Sequence, residues 1–217
     1  MYTVLEILDP RNYPSIWITP IVLQLNYLLM QTLFQQYSST YSSLPAHKKT
    51  EAIARLNSML VGASTSIAWF YIYAPEDIVL IGRLFIGYLI YDMAYVTTSS
   101  MAIHHIVTAV ICYYTKYISS PNVLRNMLSI MGALESSAIA ISLCWLMNTA
   151  KYPQNRVNTV VKAGSFLYWT TMRLGVFPYL LYICDSYAVK IAFSPILFLN
   201  IYWFKVILEY IFRPMTI

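Results

Sequence analysis

Long apolar stretches, broken by short polar turns, run the length of this chain. A helix needs about 20 mainly apolar residues to cross the hydrocarbon core of a bilayer. Seven segments meet or approach that length: 16–37, 52–73, 78–98, 103–118, 123–147, 157–184 and 188–212. Their apolar character is continuous, without the alternation of a half-buried strand, so they predict an all-α polytopic bundle of about seven transmembrane spans. The connections carry turn chemistry: the polar run 38–45 ends in Pro45, Ala74-Pro75-Glu76-Asp77 is a tight acidic turn, and Ser119-Ser120-Pro121-Asn122 stops one helix and caps the next. The stretch 150–158 is polar and holds Pro153. No linker, low-complexity tail or repeat interrupts this pattern, so one bundle is expected.

Two helices carry small residues at four-residue spacing, Ser58-Gly62-Ser66 and Ser129-Ala133-Ser137. Such stripes let helix backbones approach closely in lipid, which puts the fifth helix at the bundle centre. Gly175 and Pro178 are expected to bend the sixth.

Composition strengthens the membrane reading. Of the 217 residues 59% are hydrophobic and only 11% charged, too few charges to cover a water-soluble domain of this size. The net charge of +5 is dispersed, and its longest basic run, His47-Lys48-Lys49, is too small for a nucleic-acid footprint, so no nucleic-acid partner is expected. With the N-terminal side termed A, Arg11, Arg83, Lys116, Arg125 and Lys190 fall on side A. Lys48, Lys49, Arg55, Lys151, Arg156, Lys162 and Arg213 fall on side B, with Lys205 able to reach it. The excess makes B cytosolic, which places the N-terminus in the lumen and the C-terminus in the cytosol. The first apolar stretch follows Pro14 with no basic region before it, so it reads as a retained membrane helix. Cys112, Cys144 and Cys184 lie in apolar stretches without metal-site spacing and read as packing residues.

Ionisable groups at membrane depth are costly and usually face a cavity or a partner. Here they are Asp92, His104, His105, Glu135 and Arg173, with Gln24, Asn26, Gln31 and Asn200 as weaker polar candidates. Counting the rise of about 1.5 Å per residue along each expected helix puts Asp92, Glu135 and the two histidines in the B-side half, with Arg173 deeper but able to reach Glu135. A carboxylate beside an imidazole sets its tautomer and raises its basicity, so the cluster can supply a general base or a histidine nucleophile. The same residues serve equally well as a structural lock, with a carboxylate neutralising Arg173. Neighbours on a helix point about 100° apart, and His105 shares its face with the small residues Thr108, Ala109 and Cys112, which favours His105 as the inward one. Three histidines, one of them in a loop, are too few for a di-iron or bis-histidine haem site, and no zinc spacing exists; neither metal nor cofactor is expected.

Several segments together resemble the TLC domain family, which includes the ceramide synthases. They are Gly87-Tyr88-Leu89-Ile90-Tyr91-Asp92, the pair His104-His105, Leu134-Glu135-Ser136-Ser137, Arg173 with Pro178-Tyr179, and Asn200-Ile201-Tyr202-Trp203-Phe204. Their order on successive helices spans residues 45–213. On this resemblance the chain divides into an N-terminal segment, 1–44, with the first transmembrane helix, and a TLC-like six-helix bundle, 45–217. The resemblance implies a lipid-accessible cavity lined by Asp92, His105, Glu135 and Arg173, in the endoplasmic reticulum or a related membrane. Its partners would be membrane lipids or fatty acyl chains, with acyl-CoA a further candidate. The synthases transfer an acyl group from acyl-CoA to a sphingoid amine, and a catalytic reading here would rest on His104, His105, Asp92 and Glu135. The chain departs from the synthases beyond the histidine pair, where their motif continues with a His-Asp…Asp run. Leu134 precedes the single carboxylate Glu135, and Ala138 stands three residues on. Three functions follow as expectations: a protein that binds or handles lipid and influences membrane lipid composition, a membrane acyltransferase, or a lipid transporter or scaffold.

Overall fold

A computed structural model of the chain describes residues 13–95, 98–118, 120–153 and 155–212, the side chains of 116 and 210–212 excepted. Arg11, Arg213 and the Lys116 side chain, assigned above to the two sides, lie outside the described residues.

The described residues form helices and connecting turns, with no strand among them. Helix α1 (Pro14–Tyr37) is followed by a single turn, Ser39–Ser42, then α2 (Ala46–Tyr71), α3 (Pro75–Met93), α4 (Ser99–Tyr114) and α5 (Pro121–Thr149). The next rod is composite: α6 (Arg156–Thr170), a π-helical turn (Thr171–Val176) and α7 (Phe177–Ile183). Helix α8 (Tyr187–Phe212) closes the order. Helices thus occupy all seven of the apolar segments. Residue 93, not 98, ends the third, and residue 99 opens the fourth, so the histidine pair sits in the second turn of α4 and not its first.

The boundaries have local causes. Proline occupies the first turn of α1, α3 and α5, where its missing N–H costs nothing. Side-chain caps fix three starts: Thr98 accepts from the Met101 N–H, Ser120 from Val123 and Asn155 from Asn158. Glu76 and Asp77 lie in the first turn of α3, where carboxylates oppose the helix dipole favourably. The π turn has its cause in Pro178, which has no N–H for the carbonyl four residues back and whose ring crowds it; the widened turn accommodates both effects. A Cβ on Gly175 would meet nothing within 4 Å, so the bend answers the proline and no packing demand at the glycine.

Helix α5 is the axis of the bundle: 72% of its most apolar window is buried, against 11% for α1 and 17% for α8. Helix α2 lies along it. A Cβ on Gly62 would stand 2.7 Å from the Glu135 carbonyl oxygen, and one on Gly132 would stand 2.8 Å from the Trp69 side chain, so both close approaches need glycine. Arg125, in the first turns of α5, donates to the carbonyls of Trp69 and Ile72 and lies 4.2 Å from the Tyr73 ring, capping the end of α2. Helix α1 packs on α3, with Ile16 and Leu23 among Phe85, Ile86 and Leu89. Asn57, fully buried on α2, ties the first three helices: it accepts from Asn26 at 2.6 Å and donates to the Tyr91 hydroxyl at 2.9 Å.

Three helices, α1, α5 and the span Tyr187–Glu209 of α8, are long and apolar enough to cross a membrane. Large apolar side chains on the outside of α1 and α8, among them Ile21, Leu25, Ile191 and Phe198, are exposed. Exposed apolar area of this extent is unfavourable in water and ordinary in lipid.

Candidate functional site

The bundle is not filled evenly. One dry cluster, Ile111, Met127, Ile130, Leu134, Phe177, Phe193 and Ile196, fills the space between α4, α5, α7 and α8. At the other end a cavity of about 390 Å³ opens. Its walls come from the first half of α2, the last turns of α3, the start of α4, the second half of α5 and the second half of α8. In a bundle of alternating direction these all belong to end B. Asp92, His104, His105, Glu135 and Arg173 all line it.

Asp92 lies in the last turns of α3 and His105 in the second turn of α4, and these two helix ends bring them together. His105 Nε2 is 2.8 Å from Asp92 Oδ2. Its other nitrogen, Nδ1, is 2.7 Å from the Met101 carbonyl oxygen, which can only accept, so Nδ1 carries a proton. The Nε2–Oδ2 contact therefore holds one further proton, either on an imidazolium facing a carboxylate or on a carboxylic acid facing a neutral ring. Both nitrogens of His105 are engaged.

His104 differs. It too is buried, because α8 covers its face, and its ring stands edge-on to Trp203 at 5.5 Å. The small residues on its face favour His105 as the inward histidine; in the structure both rings line the same cavity, His104 against Trp203 and His105 against Asp92. His104 Nδ1 is buried without a hydrogen-bond partner among the described residues.

Arg173 takes partners other than the expected one. Nε donates to Ser137 Oγ at 2.8 Å, Nη1 to Asn200 Oδ1 at 3.0 Å and Nη2 to the Leu134 carbonyl at 2.9 Å. Its guanidinium also faces the rings of Trp169 and Trp203 at 5.9 and 5.8 Å. Among the described residues it makes no ion pair with Glu135. Neutral acceptors from α5 and α8 therefore hold the cation, and the Glu135 carboxylate, buried on α5, is left facing the cavity without a hydrogen bond from the described residues. Above it Tyr88 donates to Ser58 at 3.2 Å, carrying a polar wall toward the rim.

Ser137 and Asn200 stood in the sequence as a packing residue and a weak polar candidate, and they emerge as ligands of Arg173. Trp169 was not foreseen at all. An apolar residue in an apolar helix carries no signal of the cavity it lines. Among the described residues no group of three or more His, Cys, Asp or Glu side chains could hold a metal ion.

A helical bundle with exposed apolar flanks and ionisable groups gathered in an internal cavity defines an integral membrane protein. The family model for the TLC domain matches residues 30–211, most of the length, and the chain belongs to the TLC domain family. No curated protein and no solved structure matches it.

Proposed function

We propose that the chain spans the membrane seven times and holds a lipid in its end-B cavity, through which it influences membrane lipid composition. The observation that carries this reading is the cavity itself. Aromatic and aliphatic walls (Trp169, Tyr202, Trp203, Val206, Ile207) suit an acyl chain, and the unpaired Glu135 and the spare N–H groups of Arg173 suit its polar end. Seven spans gain support from the tyrosines at the end-A limits of four helices. Tyr71, Tyr73, Tyr114, Tyr117, Tyr179, Tyr182 and Tyr187 are all exposed, as side chains at a membrane–water boundary are. End B is the cytosolic one in this reading, in the endoplasmic reticulum or a related membrane. Lipid extraction and mass spectrometry of the purified protein test it. The expected result is a stoichiometric bound acyl lipid, lost in Glu135→Ala; a lipid-free wild type would overturn the proposal.

A second reading, acyl transfer, is favoured by one specific feature, the unengaged nitrogen of His104. In it, a His104 nitrogen attacks an acyl thioester carbonyl and the C–S bond breaks as the thiolate leaves. A sphingoid amine then takes the acyl group from the acylimidazolium, the C–N bond to His104 breaks, and the amine's proton passes through Glu135 to the thiolate. Ala138 lines the cavity where the synthase pattern has a carboxylate, and its methyl group can neither accept a proton nor orient an imidazole. Lipid holding without ordinary ceramide synthase turnover is therefore preferred. Reconstitution with a long-chain acyl-CoA and sphinganine separates the two: turnover that vanishes in His104→Ala would put acyl transfer first.

A further inference from the structure

The rim of the cavity carries a charge arrangement that the interior does not use. Lys48, Glu51 and Arg55 lie on successive turns at the start of α2, and Glu51 and Arg55 line the cavity. One Glu51 oxygen is 3.0 Å from Lys48 Nζ, and the other is 3.7 Å from Arg55 Nη2. The Trp145 ring, from the last turns of α5, backs both cations at 4.9 and 5.8 Å. Lys49 is held apart from them by Gln35 at 3.1 Å and by the Tyr41 ring. Lys48 and Arg55 thus share a single carboxylate at this rim, leaving one positive charge unbalanced. Glu51 and Trp145 orient the Lys48 and Arg55 head groups but occupy few of their N–H donors.

An anion is the complement of such a rim, and its size is bounded. One unbalanced positive charge matches the single negative charge of a phosphodiester, which an Arg fork can bind through two parallel hydrogen bonds. A coenzyme thioester, with its pyrophosphate and ribose phosphate, carries more negative charge than this rim offsets. From Arg55 the wall continues inward through Ser58 and Tyr88 to Glu135, so a ligand held at the rim has a polar path before the apolar walls. We propose that Lys48 and Arg55, backed by Trp145, form a headgroup site for a phospholipid with a single phosphate, whose glycerol end enters the cavity past Ser58. This rests on the lipid-holding reading above and names its ligand class.

The test uses the full chain in detergent micelles, with tryptophan fluorescence as the readout. The probes are dihexanoylphosphatidylglycerol, the neutral dihexanoylglycerol and palmitoyl-CoA. The expected result is that Lys48→Gln combined with Arg55→Gln weakens phosphatidylglycerol binding on the order of thirtyfold and leaves dihexanoylglycerol unchanged. Wild-type binding of the phospholipid also falls with added salt, a measurement that needs no variant, and Arg55→Lys, which keeps the charge but not the fork, binds with an affinity between those of wild type and Arg55→Gln. Equal binding of phospholipid and neutral glyceride by the wild type, or salt-independent binding, would overturn the headgroup site while leaving lipid holding intact. Palmitoyl-CoA binding that the double variant abolishes, with phospholipid binding unaffected, would assign the rim to a coenzyme thioester and also overturn it. Binding of no probe would fail the lipid-holding reading, and this one with it.

Discussion

The two adjacent histidines have unlike surroundings, and this produces opposite expectations for their variants. His105 bridges α3 and α4 through Asp92 and the Met101 carbonyl, so His105→Ala leaves a partly buried carboxylate without its partner. The expected loss is about 2 kcal/mol, read as a lower Tm in detergent-solubilised protein. His104 makes no hydrogen bond in the described structure, and His104→Ala is expected to move Tm far less while altering whatever occupies the cavity. Equal destabilisation by the two would contradict this division. Arg173 is the stricter case. Arg173→Ala removes three hydrogen bonds and leaves buried Asn200 Oδ1 without its donor, while Ser137 still donates to the Leu134 carbonyl; the expected cost is about 3 kcal/mol. Arg173→Lys keeps the charge but cannot span three acceptors with one ammonium, so its Tm is expected to lie between those of Ala and wild type. The residue types at these positions were legible in the sequence from their cost at membrane depth. Their partners were not, because a side chain several bonds long can reach any of several groups and only the packed helices choose.

At the scale of elements, the glycines separate close packing from mere small size. Gly62 faces the backbone of Glu135, so Gly62→Val is expected to push α2 from α5, destabilise by roughly 1–3 kcal/mol and displace the cavity carboxylate. Gly164, mid-way along α6, has open space where a Cβ would go, and Gly164→Ala is expected to stabilise by roughly 0.5–1 kcal/mol through helix propensity alone. Thermal unfolding of the pair should show opposite signs. Both glycines look alike in the sequence; the four-residue stripe around Gly62 is the one signal that distinguished it. The π turn carries Arg173, so Pro178→Ala, which restores an N–H donor, is expected to let a regular helix form and to rotate Arg173 from its three acceptors. The resulting Tm loss would approach that of Arg173→Ala; a Tm equal to wild type would show that the proline does not set the register.

For the whole molecule, the membrane frame makes the broadest prediction. Single cysteines introduced at Ser43, in the turn before α2, and at Asp185, between α7 and α8, are expected to react with impermeant maleimide from opposite sides of sealed vesicles. Labelling of both from one side would exclude the seven-span arrangement. The bundle's two ends also differ in kind. One is packed by aliphatic and aromatic side chains, and the other is hollow with charged walls, so on the proposed lipid-holding reading ligand exchange is expected at end B. Substitutions in the dry cluster, such as Phe193→Ala, are expected to cost about 3–5 kcal/mol of stability without changing which lipid co-purifies.

Helix positions, turn sites and membrane character were determined by the sequence alone, because each depends on neighbours within one or two turns. Apolar run length sets the spans, prolines and small polar residues set the breaks, and the price of charge in lipid marks the residues that must face inward. The tertiary structure decided everything that depends on the rotation and axial offset of one helix against another. It covered His104 with α8, gave Arg173 to neutral acceptors, left Glu135 open to the cavity and stood Lys48 and Arg55 over Trp145. Rotation and offset arise from the summed packing of whole helix faces, a property carried by no single residue or spacing.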